Sequence, residues 1–282
     1  MPAAQATAPE LIDKPGKNRF SGCEIKMLLA LDIGNTNTVA GIFDGTSLLH
    51  QNRIVTNRDS TAEQLVDSYA NWLTQSKVEK EKIRSAIICS VVPLVTAAFT
   101  QMVQSLFKTD ALILSSELPL PIKIDIDAPR QVGADRIANA VAAFSKYGGE
   151  CIVVDFGTAT NFDIVNKSGD YIGGVLLPGP ETSMAELARK AAQLHLVDIE
   201  PPQKVIGRTT SEALMSGLFF GTVGQIDYMV ERIIDEANFN KPAVIATGGL
   251  AEKFVSYSKY IQRSEPDLTL EGLRIISEYN KR

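Results

Sequence analysis

Two short turns with the same residue pattern could bind phosphate groups. One, DIGNTNT at residues 32–38, follows an apolar run that begins at Met27; the other, DFGTAT at residues 155–160, follows an apolar run that begins at Cys151. Glycine allows backbone N–H groups to approach an anion closely, and the Asn and Thr side chains add further donors. The carboxylates of Asp32 and Asp155 could hold a hydrated Mg²⁺ or another cation against the phosphates. The alternative is a pair of structural β-turns in which each Asp accepts hydrogen bonds from its own backbone.

The two turns belong to an internal repeat. Asp32 and Asp155 are 123 residues apart, and in both places an apolar strand ends in D-x-G, hydroxyl-bearing residues follow, and a second strand leads to a turn. One such match arises easily by chance, but two in the same context favour a duplication, which can decide the whole fold. The sequence therefore predicts an α/β fold with two similar lobes that face one another across a cleft.

Hydrophobic periodicity and turn residues predict the elements of each lobe. In the first half we expect a strand from Met27, a strand to Phe43, a hairpin turn at Asp44-Gly45, a strand over Leu48–Val55, a helix over Thr61–Gln75, a strand stopped at Pro93, and a helix over Val95–Phe107 followed by a short strand. In the second half we expect a turn at residues 167–170, helices at about 181–194 and 210–237, and a buried strand that ends in Thr247-Gly248-Gly249. We place the lobes at residues 27–147 and 148–282, and we interpret residues 1–26 as a disordered extension or the product of an upstream start codon.

The segment Gly133-Ala134-Asp135-Arg136 is a third candidate site. It begins an apolar helical segment, RIANAVAAF. An Asp in the first turn of a helix is favoured by the helix dipole, which is a structural role. Equally, an Asp beside an Arg could accept a hydroxyl proton while the Arg binds an anionic group of a substrate. The residues alone leave both interpretations open.

Composition and charge argue against several classes of function. The net charge is −5 and the pI about 5.2, so no basic surface for nucleic acid is expected. The three cysteines, Cys23, Cys89 and Cys151, are far apart and form no metal-binding or disulfide pattern. No apolar run approaches the ~18 residues that a membrane span requires. We therefore expect a cytoplasmic protein with buried free thiols.

Several motifs, in the same order, resemble those of type III pantothenate kinases. They are DIGNTNT at 32–38, VGADRIANAVAA at 132–143, DFGTAT at 155–160, GDYIGGVLLPG at 169–179, TGGLA at 247–251 and PDLTLEGL at 266–273. The resemblance implies the two-lobed actin/Hsp70/hexokinase fold, which is ribonuclease H-like, with ATP in the cleft between the lobes. It also implies the phosphorylation of pantothenate to 4′-phosphopantothenate, the first step of coenzyme A biosynthesis. Members of the family are homodimers that require Mg²⁺ and a monovalent cation, K⁺ or NH₄⁺.

The resemblance also implies roles for individual residues. ATP would be bound by Thr158 and by the consecutive residues Asp32, Ile33, Gly34, Asn35, Thr36, Asn37, Thr38 and Val39. Pantothenate would be bound by Gly133, Ala134, Asp135, Arg136 and Thr210. Asp135 would be the proton acceptor, and the carboxylate of pantothenate would be the partner of Arg136. Asp155 would hold the monovalent cation, and Asp32 would hold Mg²⁺ through water.

The dimer would place Thr210 of one chain in the site of the other. Helix 210–237 carries an apolar stripe, which either faces the second chain or packs within its own lobe. The family pattern is broken at Ile126, where many members have a substrate-contacting Tyr, but not at Asp32, Asp135, Asp155 or Thr158. Two alternatives stay open: another small-molecule kinase or ATPase of the same fold, and a non-catalytic accessory or regulatory protein.

Overall fold

The protein folds into two five-stranded sheets with helices packed on them, and the computed structural model describes residues 26–191 and 193–281. The extension predicted at residues 1–26 lies outside these ranges except for Lys26. Within them, no helix has both the length and the hydropathy needed to cross a membrane. The thiols of Cys89 and Cys151 are free and buried, as predicted, whereas Cys23 lies outside the described ranges.

The first half is built around a sheet with the strand order β3-β2-β1-β4-β5. Its strands are β1 (Met27–Ile33), β2 (Asn37–Asp44), β3 (Ser47–Val55), β4 (Ile83–Ser90) and β5 (Ala111–Ile113), and its helices are α1 (Ala62–Gln75), α2 (Pro93–Phe107) and α3 (Ala134–Tyr147). Strands β1, β2 and β3 are antiparallel neighbours, whereas β4 and β5 run parallel to β1.

The second half repeats this arrangement, with the strand order β8-β7-β6-β9-β10. Its strands are β6 (Cys151–Phe156), β7 (Ala159–Val165), β8 (Tyr171–Pro178), β9 (Ala243–Gly248) and β10 (Arg263–Ser264), and its helices are α4 (Pro180–Lys190), α5 (Thr210–Ala237), α6 (Ala251–Val255) and α7 (Leu268–Tyr279). Again the first three strands are antiparallel and the last two are parallel to the central strand. The predicted duplication of an α/β lobe is therefore confirmed.

Residue patterns explain the individual elements. Strand β1 is almost continuously apolar because both of its faces are covered, whereas the edge strand β3 alternates between exposed and partly buried residues. Helices α1 and α5 begin with capping boxes, formed by Thr61 with Gln64 and by Thr209 with Glu212.

Helices α3 and α7 join the two halves. Helix α3 packs on β6 and β7 of the second sheet, α7 packs on β1 and β4 of the first, and the two helices contact each other extensively. At their crossing, Gly272 of α7 leaves no room for a Cβ, which would collide with the backbone of Ala138 in α3. One hydrophobic cluster therefore contains residues of both sheets and both helices. The division into lobes at residues 27–147 and 148–282 stays a prediction.

The observed elements differ from the predicted ones in a few places. Helix α2 begins at Pro93, the first helical position, where proline is well tolerated. Helix α4 ends at Lys190 instead of 194, because Ala191 adopts an extended conformation. Strand β10 and helix α7 were not predicted.

Candidate active site

The two D-x-G turns meet at the bottom of the cleft between the lobes. Each follows the central strand of its sheet, and the hydroxyls of Thr36 and Thr158 lie 3.1 Å apart across the cleft. The N–H of Gly34 donates to the carbonyl of Asn37, and the N–H of Gly157 donates to that of Ala159, both at 3.0 Å. The glycine N–H groups thus close the turns. The exposed threonine side chains are the donors that stay accessible for a phosphate.

Residues 32–39, predicted to bind ATP, divide into accessible and buried groups. Asn35 and Thr36 are exposed, and Asp32, Gly34 and Asn37 are partly exposed. The side chains of Ile33, Thr38 and Val39 are buried, so these residues can offer a nucleotide only their backbone. Their contribution to ATP binding stays a prediction.

Thr56, which sequence reasoning did not single out, supports the first turn from below. Its hydroxyl donates to the carbonyl of Gly34 at 2.8 Å and lies 2.9 Å from the hydroxyl of Thr38. These contacts link the end of β3 to the turn between β1 and β2.

Close backbone approaches fix the second turn. The N–H of Gly179 and the hydroxyl of Thr182 both donate to the carbonyl of Thr158, at 3.0 and 2.7 Å. Gly248 has a φ of +90°, and a Cβ there would lie 2.6 Å from Oδ1 of Asp155. Glycine is therefore required for β9 to end beside Asp155.

Three carboxylates gather near these turns. Burial and repulsion from Asp135 and Asp155 raise the pKa of Asp32 to about 7, although Cys89 and Arg53 partly offset this. Burial and repulsion from Asp135 raise the pKa of Asp155 to about 6. Burial also raises the pKa of Asp135. A cation between these groups would relieve their repulsion.

The carboxylates fit a hydrated cation better than a metal cage made by the protein alone. Throughout the described ranges, no group of three His, Cys, Asp or Glu side chains is arranged to hold a metal ion. A divalent ion at Asp32 would therefore take its other ligands from water and nucleotide phosphates, which suits Mg²⁺.

Asp135 and Arg136 lie in the first turn of α3, at the same cleft. The carboxylate of Asp135 accepts a hydrogen bond from the N–H of Arg136 at 2.8 Å. The guanidinium of Arg136 reaches Asp163 of β7, with Nε 2.7 Å from Oδ1. A partly buried carboxylate with a raised pKa is suited to accept a proton from a hydroxyl, and the neighbouring guanidinium is suited to an anionic group.

A family model described as type III pantothenate kinase matches residues 28–232. A type III pantothenate kinase from Frankia alni is 46% identical over 255 residues, which make up 90% of this chain and 100% of the relative. The chain belongs to the type III pantothenate kinase family.

Solved structures with little sequence identity share the fold. MreB 5 of Spiroplasma citri, solved with AMPPNP, has a TM-score of 0.53 at 10% identity, covering 91% of this chain and 97% of that chain. An activator of 2-hydroxyisocaproyl-CoA dehydratase from Clostridium difficile, solved with ADPNP, has a TM-score of 0.50 at 10% identity, covering 90% and 97%. The predicted actin/Hsp70/sugar-kinase fold is confirmed. As a member of the type III pantothenate kinase family, the chain is a kinase.

Asn139 is a site residue that sequence reasoning missed. It is fully buried in α3; its Nδ2 donates to Asp155 at 3.1 Å, and its Oδ1 accepts from the hydroxyl of Thr269 at 2.8 Å. Asn139 follows Asp135 by four residues, so the two share a helix face. The available signal was a single polar residue within the apolar stretch of this helix at residues 137–143.

The strand end at Thr247-Gly248-Gly249 lies beside the second turn. The N–H of Gly249 donates to the carbonyl of Phe156 at 3.1 Å. Around Gly249, the nearest atom that an added Cβ would meet is Nη1 of Arg53 from the other lobe, at 3.8 Å. The missing side chain of Gly249 therefore leaves open space at this strand end.

Two further positions bear on substrate binding: Thr210, and Ile126, where many family members have a substrate-contacting Tyr. Thr210 begins α5 and is exposed. Ile126 packs against the hydrophobic cluster shared by the two lobes. On α5, Phe219 and Ile226 of the apolar stripe are buried in the core of their own lobe, as one of the two interpretations predicted.

Proposed function

We propose that this chain transfers the γ-phosphoryl group of ATP to the terminal hydroxyl of pantothenate, the first step of coenzyme A biosynthesis. The observation that carries the proposal is the position of Asp135 and Arg136 in the cleft where the two D-x-G turns meet. Electrostatic coupling of Asp135 to Asp32 and Asp155 supports this proximity. One site thus combines a proton acceptor, an anion-binding guanidinium and a pair of phosphate turns.

Each residue has a defined role in the proposed reaction. Asp135 accepts the proton of the attacking hydroxyl, and Arg136 binds the substrate carboxylate and orients the acceptor. Gly133 and Ala134 line the same segment. The turn residues Asn35, Thr36 and Thr158 bind and orient the phosphates. Because Asp135 must be ionised to act as a base and burial raises its pKa, kcat/KM should fall as the pH is lowered.

Two cations complete the proposed site. Asp32 would hold Mg²⁺ through water, and Asp155, fixed by Asn139, would hold K⁺ or NH₄⁺. Bound there, these ions neutralise negative charge on the phosphates.

We further propose that the enzyme is a cytoplasmic homodimer in which Thr210 reaches the partner's acceptor site. Thr210 is exposed, and Val205 and Ile206, shortly before it, are 65% and 81% exposed. Tyr228 of α5 is 61% exposed. Apolar groups exposed beside Thr210 are suited to burial against a second chain.

ADP release tests the proposal. Wild-type protein should release ADP when pantothenate is present. It should not release ADP with simple sugars or in the absence of an acceptor. Asp135→Asn should retain the fold and lose about 10²–10⁴-fold in kcat. Asp110→Asn is a matched control, because Asp110 is exposed and precedes β5 at the end of the sheet opposite the cleft. The Asp110→Asn protein should have wild-type activity.

Each other result has a definite meaning. ADP release without an acceptor would indicate an ATPase, and turnover of a sugar another small-molecule kinase. No turnover at all would indicate an accessory protein. Near-normal kcat in Asp135→Asn would remove Asp135 from the mechanism.

A further inference from the structure

Asp163 is a fully buried carboxylate in the middle of β7, and neither the sequence motifs nor the proposed reaction uses it. Its side chain has no solvent exposure, and Oδ1 accepts hydrogen bonds from Nε of Arg136 at 2.7 Å and from the hydroxyl of Tyr171 at 3.2 Å. Buried charges are rare in proteins unless a partner compensates them. Here the partner is the guanidinium assigned to the substrate.

The contacts of Arg136 leave one side of its guanidinium free. Nε donates to Asp163, and Nη2 donates to the carbonyl of Phe162 at 3.3 Å. A guanidinium has five N–H donors in a fixed plane. In the part of the chain that the structure describes, the other three have no hydrogen-bond acceptor. Two donors thus fix the group, and the Nη1 edge is available for a ligand.

Neighbouring residues keep the guanidinium in this orientation. Cζ of Arg136 lies 5.8 Å from the centre of the Tyr171 ring, a cation–π distance. Gly174 of β8 pairs with Asp163 in the sheet. A Cβ at Gly174 would collide with Nη2 of Arg136. Only 14% of the Arg136 side chain is exposed, so the guanidinium is held in a closely fitting slot.

We propose that Asp163 is a positioning residue that, with Tyr171 and Gly174, holds Arg136 so that its Nη1 edge binds the carboxylate of the acceptor substrate. Asp163 thereby sets the preference of the enzyme for an anionic acceptor over a neutral one. This inference rests on the proposed function. Asp163 touches no reacting atom, and its effect passes entirely through Arg136.

The competing interpretation is that the ion pair only stabilises the fold. A purely structural pair would affect all acceptors equally when it is weakened. A positioning pair would affect the anionic acceptor selectively, because a neutral acceptor gains little from a fixed guanidinium.

The test compares two acceptors: pantothenate and the alcohol in which its carboxylate is replaced by CH₂OH. For wild type, Asp163→Asn and Tyr171→Phe, kcat/KM is measured for each acceptor, together with KM for ATP. Hydrogen-bond partners that orient metal-binding side chains typically contribute about 10–100-fold to affinity or activity, and we take the same range for a partner that orients Arg136. We therefore expect Asp163→Asn to lower the ratio of kcat/KM for the acid over the alcohol by at least about tenfold. Most of the change should appear in KM for pantothenate, with KM for ATP unchanged.

Tyr171→Phe should lower the same ratio by a smaller factor, because it keeps the ion pair and removes one hydrogen bond. Glu265→Gln is the matched control. Lys146 lies at the other end of α3 from Arg136, and its Nζ is 2.5 Å from Oε2 of Glu265. The side chain of Glu265 is 14% exposed, so this ion pair is also largely buried. This variant should leave the acid-to-alcohol ratio unchanged.

The outcomes separate the inference from the proposed function. A folded Asp163→Asn protein with the wild-type ratio overturns the inference, even if both rates fall. If Asp163→Asn does not fold, Tyr171→Phe decides, and an unchanged ratio there overturns the inference equally. Wild-type protein that phosphorylates neither acceptor refutes the proposed function, and the inference with it.

Discussion

Replacing Gly272 by Ala should destabilise the protein, although alanine favours helices. Gly272 lies inside α7, where it crosses α3 in backbone contact. A Cβ at this position would lie 2.6 Å from the carbonyl carbon of Ala138 and 2.9 Å from its Cα. Carbon atoms pack comfortably at about 3.5–4.0 Å. The two helices would therefore have to separate by roughly 1 Å, because the obstacle is backbone and cannot rotate away.

The expected cost follows from two opposing terms. Overpacking a core typically costs about 1–3 kcal/mol, and a collision with backbone belongs at the upper end. Alanine regains about 1 kcal/mol of helix propensity relative to glycine. The net loss is about 2 kcal/mol, which corresponds to a fall in Tm of about 3–4 °C for a protein of this size.

Scanning calorimetry at fixed protein concentration measures this shift. The control is Gly224→Ala in α5, where an added Cβ meets no atom within 4 Å; it should be neutral or raise Tm. Equal Tm values for wild type and Gly272→Ala would refute the reasoning. That result would mean that α3 and α7 lie far enough apart at Gly272 to accommodate a Cβ.

Two further predictions concern the cation and the dimer. Asp155→Asn should weaken activation by K⁺ more than it lowers Tm, because hard cations prefer charged oxygen ligands; activity that never depends on K⁺ or NH₄⁺, even in wild type, would contradict the assignment. Asp135→Asn and Thr210→Arg should each inactivate the homodimer, yet dimers refolded from a mixture of the two should recover part of the activity. Recovery is expected because one site of each mixed dimer carries neither defect; verified mixed dimers without activity would reject the shared site.

Much of the fold could be predicted because the duplicated pattern is visible in the residues themselves. Apolar strands that end in D-x-G, the Asp44-Gly45 turn, and the helical apolar stripe over residues 61–75 are local signals. Each predicted an element that the structure contains. Helix α5 was predicted with its observed bounds, 210–237.

The parts that could not be predicted depend on contacts distant in sequence. Helix α7 carries no strong cap, and its sequence gives no indication that it covers the first sheet. Asp163 appears in the sequence as one charge inside an apolar strand, FDIV. Its meaning becomes clear only when β7 is placed against α3 and Arg136. Likewise, Asn139 connects Asp155 to Thr269, residues more than 100 positions apart in the chain.

The exchange of α3 and α7 between the lobes has a consequence for biosynthesis. The helix that covers β1 and β4 of the first sheet, residues 268–279, is made only after every strand of the second sheet. At about 5–20 residues per second, the apolar face of that sheet waits on the order of ten seconds for its cover. The nascent chain therefore presents an uncovered, β-rich surface throughout the synthesis of the second lobe. Chaperone binding during translation should concentrate on this face, and a chain lacking its last fifteen residues should aggregate and not merely lose activity.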